Sequence, residues 1–396
     1  MEVYPVKMTI LGVFLFNQIR TGGDRRYLEL MEGLAERGNT VFVIINTLLD
    51  YKSVHFRKIE LSIKYKYRKF PPSSFLFRES IKKNLDIIKK SIKEHNAADI
   101  DWIHIHGDTS LKASIYLKKV LSLPLFYAFR CNDIDRAHIL RASGNFALKK
   151  YLFSLIYEPI NRSREKQVAR YAELVTFQNS IDRDRFLERT GCGKQKTIVI
   201  PGNIGLPRCA PEWENKNQSS KVRNIVYIGS LSGAKGLWDV LKALGVLKKR
   251  GHDLLRCSIL GRKENMDTTL RLIDEMEIEK MVSIEGYQDP FPYLVSSDLL
   301  VYPSLYDAYP DTILEALHTG CPVIASRVGG IPDLLAHLDL LFESGRVGEI
   351  ADRIERCIKD EAFYAHIRKL CAERAEAHRF DWAGKFVEAM EDRKGR

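Results

Sequence analysis

Residues 302–330 read YPSLYDAYPDTILEALHTGCPVIASRVGG, and this stretch decides how the second half of the chain is expected to fold. The residues from Thr312 to Thr319 favour a helix, with Asp311 as its cap and Gly320 at its end. Apolar runs at 298–302 and 322–326 flank it, and both predict buried strands. The stretch is therefore expected to be a strand–loop–helix–strand unit of an α/β protein.

Two carboxylates stand near the N-terminus of this predicted helix. Asp307 and Glu315 are separated by seven residues. A helix N-terminus presents backbone N–H groups that favour phosphate or other anions, although carboxylates near such a position often serve only as caps. The two acids combined with the Pro-Asp-Thr turn and the following Gly-Cys-Pro-Val-Ile favour a binding site over a simple cap.

This stretch resembles the donor-sugar motif of the retaining glycosyltransferases of family 4, enzymes of the two-domain GT-B fold. The family motif is Glu, seven residues, Glu, a short helix and a Gly-x-Pro-Val strand. The resemblance implies that Glu315 binds the nucleotide ribose, that Asp307 holds the transferred sugar, and that the N–H groups at Thr312, Ile313 and Leu314 face the diphosphate. Asp307 is one methylene shorter than the usual Glu, which bears on which sugar is held.

The start of the second predicted domain offers a cation for the same diphosphate. A strand at 224–228 leads into Gly229-Ser-Leu-Ser-Gly-Ala-Lys-Gly236 and then a helix, and a lysine beside a glycine-bearing helix start favours an anion. The Walker phosphate-binding pattern is absent. The family has an Arg and a Lys here: Lys235 matches the lysine, whereas Ser230 stands in the place of the Arg, a loss that Arg262 could offset.

Two further strand ends are expected beside the nucleotide. The predicted strand 257–260 ends at Gly261-Arg262, and the predicted strand 282–285 ends at Gly286-Tyr287. By resemblance, both ends border the nucleobase, so Gly261, Arg262 and Tyr287 are donor-binding candidates together with Ser230.

Length and composition set the outer limits. A chain of 396 residues exceeds the size of one usual core, so two domains of about 200 residues are expected. Hydrophobic residues make up 45% and charged residues 29%, which is ordinary for a globular protein. No apolar run reaches the roughly 20 residues of a membrane span, and 8–16 is predicted to be a strand, not a signal peptide. The seven scattered cysteines favour reduced thiols, a cytoplasmic location and no zinc site.

Positive charge is concentrated in the first half. Residues 1–200 carry 35 Lys and Arg against 21 Asp and Glu, whereas residues 201–396 carry 27 against 30. A basic first domain suggests an anionic partner, either a membrane surface or a phosphorylated acceptor. Nucleic acid is the competing interpretation, but no zinc-finger, RNA-recognition or helix-turn-helix signature accompanies the charge.

The first domain is expected to open with a strand–helix–strand unit. Strands are predicted at 8–16 and 40–46, with a helix from Asp24 to Arg37 between them. The loop before this helix ends in Gly22-Gly23, whose missing side chains would let a ligand approach. A Gly-Gly loop lines the interdomain cleft at this place in family 4, so both glycines are donor-binding candidates.

The most basic segment is 51–95. A helix from Ile81 to His95 is predicted, with Ile81, Leu85, Ile88 and Ile92 on one stripe and lysines off it. The stripe is expected to dock this helix on its sheet. The alternative is contact with anionic lipid headgroups, either through the lysines alone or by partial insertion.

Four polar residues of the first domain are candidates for the acceptor or the sugar. His106 ends the predicted strand 101–106, and Arg130, Asn132 and Asp133 follow the strand 125–129. His104 shares a face with His106, which makes a metal site conceivable, but no third ligand is evident and the family uses none here. For Asn132 and Asp133, helix capping is the plain alternative.

Together these patterns predict two Rossmann-like doubly wound domains, and the resemblance implies that they face each other across a cleft in the GT-B arrangement. The first domain would span 1–203 and bind the acceptor; 204–222 would be a linker; 223–379 would bind the nucleotide sugar; and a helix at about 380–396 would pack back on the first domain. The resemblance covers most of the chain and is most specific at 224–330.

The expected activity is retaining, metal-independent sugar transfer, with Asp307, Glu315 and Lys235 at its centre. The resemblance implies no cofactor besides the nucleotide-sugar co-substrate, and a lipid-linked or polysaccharide acceptor in cell-surface synthesis. The expected location is cytoplasmic, with an optional peripheral membrane contact. A non-catalytic relative that binds a sugar nucleotide or a partner enzyme, a sugar-nucleotide epimerase and a phosphorylase are the alternatives. A phosphorylase would need a pyridoxal-binding lysine, which is not evident.

Overall fold

A computed structural model describes residues 7–19, 21–63, 73–94, 99–142, 148–204 and 222–394. The contacts divide the chain into two compact units. The first comprises 1–132, 157–202 and 381–396, and the second comprises 133–156 and 203–380. The domain boundaries given above remain predictions, and the segment 133–156 is where this grouping differs from them.

The first unit is built on a parallel sheet of seven strands in the order β3-β2-β1-β4-β5-β6-β7. The strands are β1 Thr9–Phe14, β2 Thr40–Asn46, β3 Arg57–Leu61, β4 Trp102–His106, β5 Leu125–Ala128, β6 Leu174–Phe177 and β7 Thr197–Val199. The direction of the strand order reverses at β1 and β4, which are parallel neighbours in the sheet. In open α/β sheets, ligands bind outside the carboxyl ends of the strands at such a reversal.

In the part of the chain that the structure describes, the helices before the second sheet are α1 Gly22–Glu36, α2 Ser73–Lys83, α3 Leu85–Glu94, α4 Leu111–Leu121, α5 Asp133–Ala142, α6 Leu148–Tyr171 and α7 Ser180–Thr190. The strands β1, β2, β4 and β5 are buried on nearly every residue, as expected for parallel strands covered by helices on both faces. The contiguous apolar runs in the sequence were therefore a sound guide to these strands.

The predicted helix Ile81–His95 is wrong in its bounds. The structure has two helices, α2 and α3, with a turn at Asn84 between them. The side-chain amide of Asn84 donates to the carbonyl of Ser80 at 2.8 Å, a local bond of the kind by which asparagine competes with helix continuation. Ile81, Ile88 and Ile92 are buried in the core, so the predicted docking stripe is confirmed.

The second unit is built on a parallel sheet of six strands in the order β10-β9-β8-β11-β12-β13. The strands are β8 Asn224–Ile228, β9 Arg256–Leu260, β10 Val282–Gly286, β11 Leu299–Tyr302, β12 Val323–Ser326 and β13 Leu341–Phe342. The helices are α8 Leu237–Lys249, α9 Met266–Glu275, α10 Phe291–Ser296, α11 Asp311–His318, α12 Ile331–Leu335, α13 Val347–Lys359 and α14 Glu361–Ala377. The strand order repeats that of the first sheet, so both units are Rossmann-like and the predicted fold class is confirmed.

The last helix, α15 Trp382–Lys394, belongs to the first unit and packs against α1. A Cβ added to Gly33 would lie 3.1 Å from the Cβ of Ala383, so the two helices approach closely at this glycine. Phe386, Val387 and Met390 enter the core of the first unit. Within the described residues, no helix has the length and apolarity needed to cross a membrane.

Candidate active site

The ends of three neighbouring strands in the second unit are joined by backbone hydrogen bonds. Gly229 donates to the carbonyl of Leu260 at 2.9 Å, Gly261 donates to that of Gly286 at 2.7 Å, and Leu231 donates to that of Arg262 at 3.0 Å. The loops after β8, β9 and β10 therefore form one connected rim at the carboxyl edge of the sheet.

Glycines allow this rim to close without side chains between its segments. Gly261 has φ +146°, and a Cβ there would lie 1.8 Å from the carbonyl oxygen of Gly229. Gly236 has φ +73°, and its Cβ would lie 2.0 Å from the carbonyl oxygen of Pro303. Only glycine fits such positions, because both the backbone conformation and the contact exclude a side chain.

The loop after β11 carries Asp307 and is fixed on both sides. The N–H of Leu305 donates to the carbonyl of Ala234 at 3.2 Å, and the N–H of Gly330 donates to the carbonyl of Asp307 at 3.0 Å. A Cβ at Gly329 would lie 1.9 Å from that same carbonyl oxygen. We refer to 229–236, 303–310 and 327–330 as the donor loops.

At the centre of the donor loops, Lys235 and Asp307 form an ion pair. The ammonium of Lys235 lies 2.7 Å from Oδ2 of Asp307, with side-chain exposures of 32% and 21%. Tyr302, at the end of β11, donates its hydroxyl to the same Oδ2 at 2.9 Å. The two residues that the sequence assigned to different parts of the donor are thus in direct contact with each other.

Two buried tyrosines support this cluster. The hydroxyl of Tyr227 on β8 donates to the carbonyl of Ser230 at 2.9 Å and lies 3.3 Å from that of Lys235, which fixes the turn carrying the lysine. Burial, and then the neighbouring Asp307 carboxylate, raises the pKa of Tyr302 well above its ordinary value. Tyr302 therefore keeps its proton and remains a hydrogen-bond donor at any working pH.

The helix α11 begins one residue earlier than predicted. Asp311 is its first residue, and the capping position is held by Pro310, which has an extended backbone and no side-chain capping bond. The prediction of Asp311 as the cap is wrong, because Pro310 already sets the entry into the helix. Ile313 and Leu314 are buried in the core, whereas Thr312 and Glu315 are half-buried.

The donor loops also connect to the end of α14. The hydroxyl of Tyr309 lies 2.7 Å from Nε2 of His378, and the side-chain amide of Asn203 donates to the carbonyl of His378 at 2.8 Å. Tyr309 and Tyr302 are equally buried, at 4% and 5% exposure. Tyr309 thus lies in the donor loop that follows Tyr302, but its hydroxyl bonds His378 whereas that of Tyr302 bonds Asp307.

Three other donor candidates lie on the rim. The guanidinium of Arg262 lies 5.8 Å from the ring centroid of Tyr287, whose ring is 78% exposed. Such a cation–aromatic pair presents a flat surface to solvent. The hydroxyl of Ser230 lies 3.2 Å from that of Ser232.

In the first unit, Gly22 and Gly23 are the first two residues of α1 and not part of the loop before it, so the predicted helix start at Asp24 is wrong by two residues, and Gly23 is next to Arg130. A Cβ at Gly23 would lie 2.7 Å from Nε of Arg130. The guanidinium of Arg130 donates to Asp24 at 3.1 Å and to the hydroxyl of Thr21. Asp24 is 1% exposed, so this ion pair is partly buried. The glycine at position 23 is explained by packing, because a side chain there would meet Arg130.

The two histidines of β4 differ in burial: His104 is a neutral core residue, whereas His106, at the end of the strand, is half-buried. Burial lowers the pKa of His104 to about 3, and both of its buried ring nitrogens lack a hydrogen-bond partner among the described residues. The pKa of His106 is also lowered, by burial first and then by the charge of Arg130. Tyr27 stacks on both rings, at 5.5 and 5.6 Å. Among the described residues, no three His, Cys, Asp or Glu side chains are grouped to hold a metal.

Asn132 and Asp133 are neighbours in sequence with different surroundings. Asn132 is fully buried and accepts a hydrogen bond from Arg189 at 3.2 Å, and Arg189 forms a two-point ion pair with Glu165 at 2.7 and 2.8 Å. Asp133 is exposed at the start of α5, with Arg136 at 3.7 Å. The contacts of Asn132 are those of a structural residue.

Sequence reasoning did not single out Tyr302 and Tyr227. A tyrosine in a buried strand matches an apolar pattern as well as a functional one. The signal that could have identified Tyr302 is its position at the last residue of a strand, immediately before the loop that carries an acid.

Two family models match consecutive parts of the chain. The model described as Glycosyltransferase Family 4 matches residues 20–204, and the model described as Glycosyl transferases group 1 matches residues 210–377. The second match contains all of the donor loops, and the first contains Gly22, Gly23, His106, Arg130, Asn132 and Asp133.

Curated relatives have the same kind of name. The chain is 23% identical over 356 residues to N-acetyl-alpha-D-glucosaminyl L-malate synthase of Bacillus anthracis, covering 86% of this chain and 85% of that protein. It is 25% identical over 297 residues to D-inositol 3-phosphate glycosyltransferase of Paenarthrobacter aurescens, covering 71% and 69%.

Solved structures show the same fold along nearly the whole chain. Sucrose-phosphate synthase from Thermosynechococcus elongatus matches with a TM-score of 0.76 at 18% identity, covering 98% of this chain and 99% of that one. Anabaena HepE, in complex with UDP and glucose, matches with a TM-score of 0.70 at 16% identity, covering 97% and 100%. The chain is thus a glycosyltransferase of family 4, with the Rossmann-like units of the GT-B fold.

Proposed function

We propose that this protein transfers a sugar from a nucleoside diphosphate sugar to a hydroxyl group of an acceptor, with retention of the anomeric configuration and without a metal ion. The observation that carries the proposal is the Lys235–Asp307 pair beside the N-terminus of α11. A cation and a set of helix N–H groups suit a diphosphate, and a carboxylate suits sugar hydroxyls.

In this mechanism the acceptor hydroxyl attacks the anomeric carbon on the face from which the diphosphate leaves. The new carbon–oxygen bond forms, the bond to the diphosphate oxygen breaks, and the diphosphate takes the electron pair. The hydroxyl proton passes to the departing phosphate oxygen. Lys235 and the N–H groups at Thr312 and Ile313 stabilise the negative charge that develops there, whereas the N–H of Leu314 donates to the carbonyl of Pro310 at 3.4 Å.

Glu315 and Asp307 have different tasks in the proposal. Glu315 lies half-buried on α11, where its carboxylate would accept hydrogen bonds from the ribose hydroxyls. Asp307 would hold the transferred sugar. Arg262 and Tyr287 would border the nucleobase, because a flat, exposed aromatic–guanidinium pair offers a base a stacking surface.

The acceptor is proposed to be anionic, either lipid-linked or part of a cell-surface polysaccharide. The first half of the chain carries the positive charge, and the names of two relatives specify the anionic acceptors L-malate and inositol 3-phosphate. The exposed lysines of α2 and α3 are the proposed membrane contact, namely Lys82, Lys83, Lys89, Lys90 and Lys93. Insertion of the apolar stripe is not part of the proposal, because Ile81, Ile88 and Ile92 lie in the core.

The experiment is a thermal-shift screen with nucleotide sugars and nucleoside diphosphates in the presence of a chelator, repeated on Glu315→Ala. A ligand that binds the folded state raises the melting temperature, so one nucleotide series should stabilise the wild type and not the variant. Transfer from that donor should be lost in Glu315→Ala while its unfolding remains cooperative.

Three outcomes would contradict the proposal. Full transfer activity in Glu315→Ala would remove the assigned role of this residue, and absence of binding by every nucleotide would favour a non-catalytic relative. Formation of a new sugar nucleotide from the donor alone would indicate an epimerase. Failure to bind anionic vesicles at low salt would remove only the membrane contact.

A further inference from the structure

The Asp307 carboxylate has two donors on a single oxygen. Oδ2 lies 2.7 Å from the ammonium of Lys235 and 2.9 Å from the hydroxyl of Tyr302. The ammonium also lies 6.0 Å from the centre of the Tyr302 ring. These three side chains therefore form one cluster in which the acid is held from two directions.

Diphosphate binding would compete with Asp307 for Lys235. Under the proposed function, Lys235 neutralises the donor diphosphate, and in the structure the same ammonium is bonded to Asp307. Both side chains are partly exposed, so the pair can exchange partners at a modest cost in free energy. When Lys235 turns to the diphosphate, Asp307 loses this ion pair just when it has to orient the sugar.

Tyr302 is placed to keep the carboxylate in position at that moment. Its ring is 5% exposed and packed in the core of the second unit, so its hydroxyl cannot follow a ligand. The raised pKa of Tyr302 keeps the hydroxyl protonated as a donor. Tyr227, another buried hydroxyl close to the cluster, is committed to the carbonyls of Ser230 and Lys235.

We propose that Tyr302 is a positioning residue of the transfer reaction, which holds the Asp307 carboxylate in place while Lys235 moves from Asp307 to the donor diphosphate. This inference rests on the proposed function and adds to it a residue that does not touch the donor. Tyr302 acts through Asp307, and its hydroxyl is the group that matters, not its ring.

The experiment compares Tyr302→Phe with Tyr364→Phe in steady-state transfer from the donor identified by the screen. Each change removes one buried hydroxyl from the core of the second unit, but that of Tyr364, on α14, bonds the carbonyl of Asp298 and not the Asp307 side chain. For Tyr302→Phe we expect kcat to fall about tenfold or more, because a hydrogen bond to a charged group is lost, with donor KM changed by less than about twofold. For Tyr364→Phe we expect kcat within about twofold of the wild type.

A double-mutant cycle in thermal unfolding tests the contact itself, without reference to activity. Tyr302→Phe, Asp307→Ala and the double variant are compared, and we expect the double variant to lose less stability than the two single losses combined. Additive losses would overturn the inference, because they would mean that the two side chains do not interact.

The remaining outcomes separate this inference from the proposed function. A wild type that is inactive with every donor refutes the proposed function and the inference with it. An active wild type whose Tyr302→Phe variant keeps its kcat refutes the inference alone. Equal losses of kcat in Tyr302→Phe and Tyr364→Phe would show a general effect of removing a buried hydroxyl, which also refutes it.

Discussion

The two units share one strand order but use the cation beside their first helix differently. In the first unit, Arg130 contacts Gly23 at the start of α1 and is bonded to Asp24, whose side chain is 2% exposed. In the second, Lys235 is bonded to Asp307, whose side chain is 21% exposed. A cation bonded to a buried acid is part of the structure, because its departure would leave a buried carboxylate without that cation. A cation bonded to a partly exposed acid can change partners, which is what binding an anion requires.

The sharpest way to break this comparison is to remove the cation of the second unit. We expect Lys235→Ala to lower transfer by about 100- to 1000-fold, as expected for a charged group that stabilises a leaving anion. Its melting temperature should stay close to that of the wild type. Initial-rate kinetics would measure the loss, with Lys242→Ala, an exposed lysine on α8, as the matched control. Wild-type rates in Lys235→Ala would mean that the pair is structural in both units.

Removing the cation of the first unit, Arg130, should mainly lower the stability of the protein, whereas removing Lys235 should mainly lower its activity. Arg130→Ala should cost about 3 kcal/mol of unfolding free energy, because Asp24 is left buried without this cation. Chemical denaturation measures that cost. Adding Asp24→Asn to the variant should recover part of it, since the charge that needed Arg130 is gone. A stable Arg130→Ala protein that has lost only activity would instead make Arg130 a ligand-binding residue.

The smallest expected effects come from the glycines beside the two cations. Gly236→Ala should cost about 2 kcal/mol and reduce donor binding, because its Cβ meets a backbone carbonyl and the residue has a positive φ. Gly23→Ala should cost about 1 kcal/mol or less, because its Cβ meets only the end of the Arg130 side chain. Thermal unfolding of the two variants, with and without the nucleotide, compares them directly. Equal costs would mean that a contact with a backbone carbonyl, at Gly236, and a contact with a side chain, at Gly23, constrain a glycine to the same degree.

The fold could be predicted well because buried parallel strands appear as short apolar runs. β2 and β8 match the predicted bounds, and β11 and β12 differ by one residue. The weak points were local. The break at Asn84 was not visible because the apolar stripe continues across it, and the charged strand β3 lacks the apolar run that identified the others.

The site could be predicted as a set of residues but not as a set of contacts. Asp307 and Lys235 were each selected by a motif, yet they are 72 residues apart and no local pattern states that they bond each other. The same holds for Gly23 and Arg130, whose contact explains a glycine that the motif alone assigned to the donor. Side-chain pairing across a sheet depends on the three-dimensional register, which a sequence pattern does not contain.

The close backbone contacts at Gly236, Gly261 and Gly329 have a practical consequence for anyone who wishes to alter the donor preference of this enzyme. At each of them a carbonyl oxygen occupies the place where a side chain would be, so substitution there would displace the whole loop and not reshape its surface. A mutant library should therefore keep these three glycines constant and vary the exposed rim positions Arg262 and Tyr287. In this enzyme, the loop backbone is the fixed frame and the rim side chains are the part that can be redesigned.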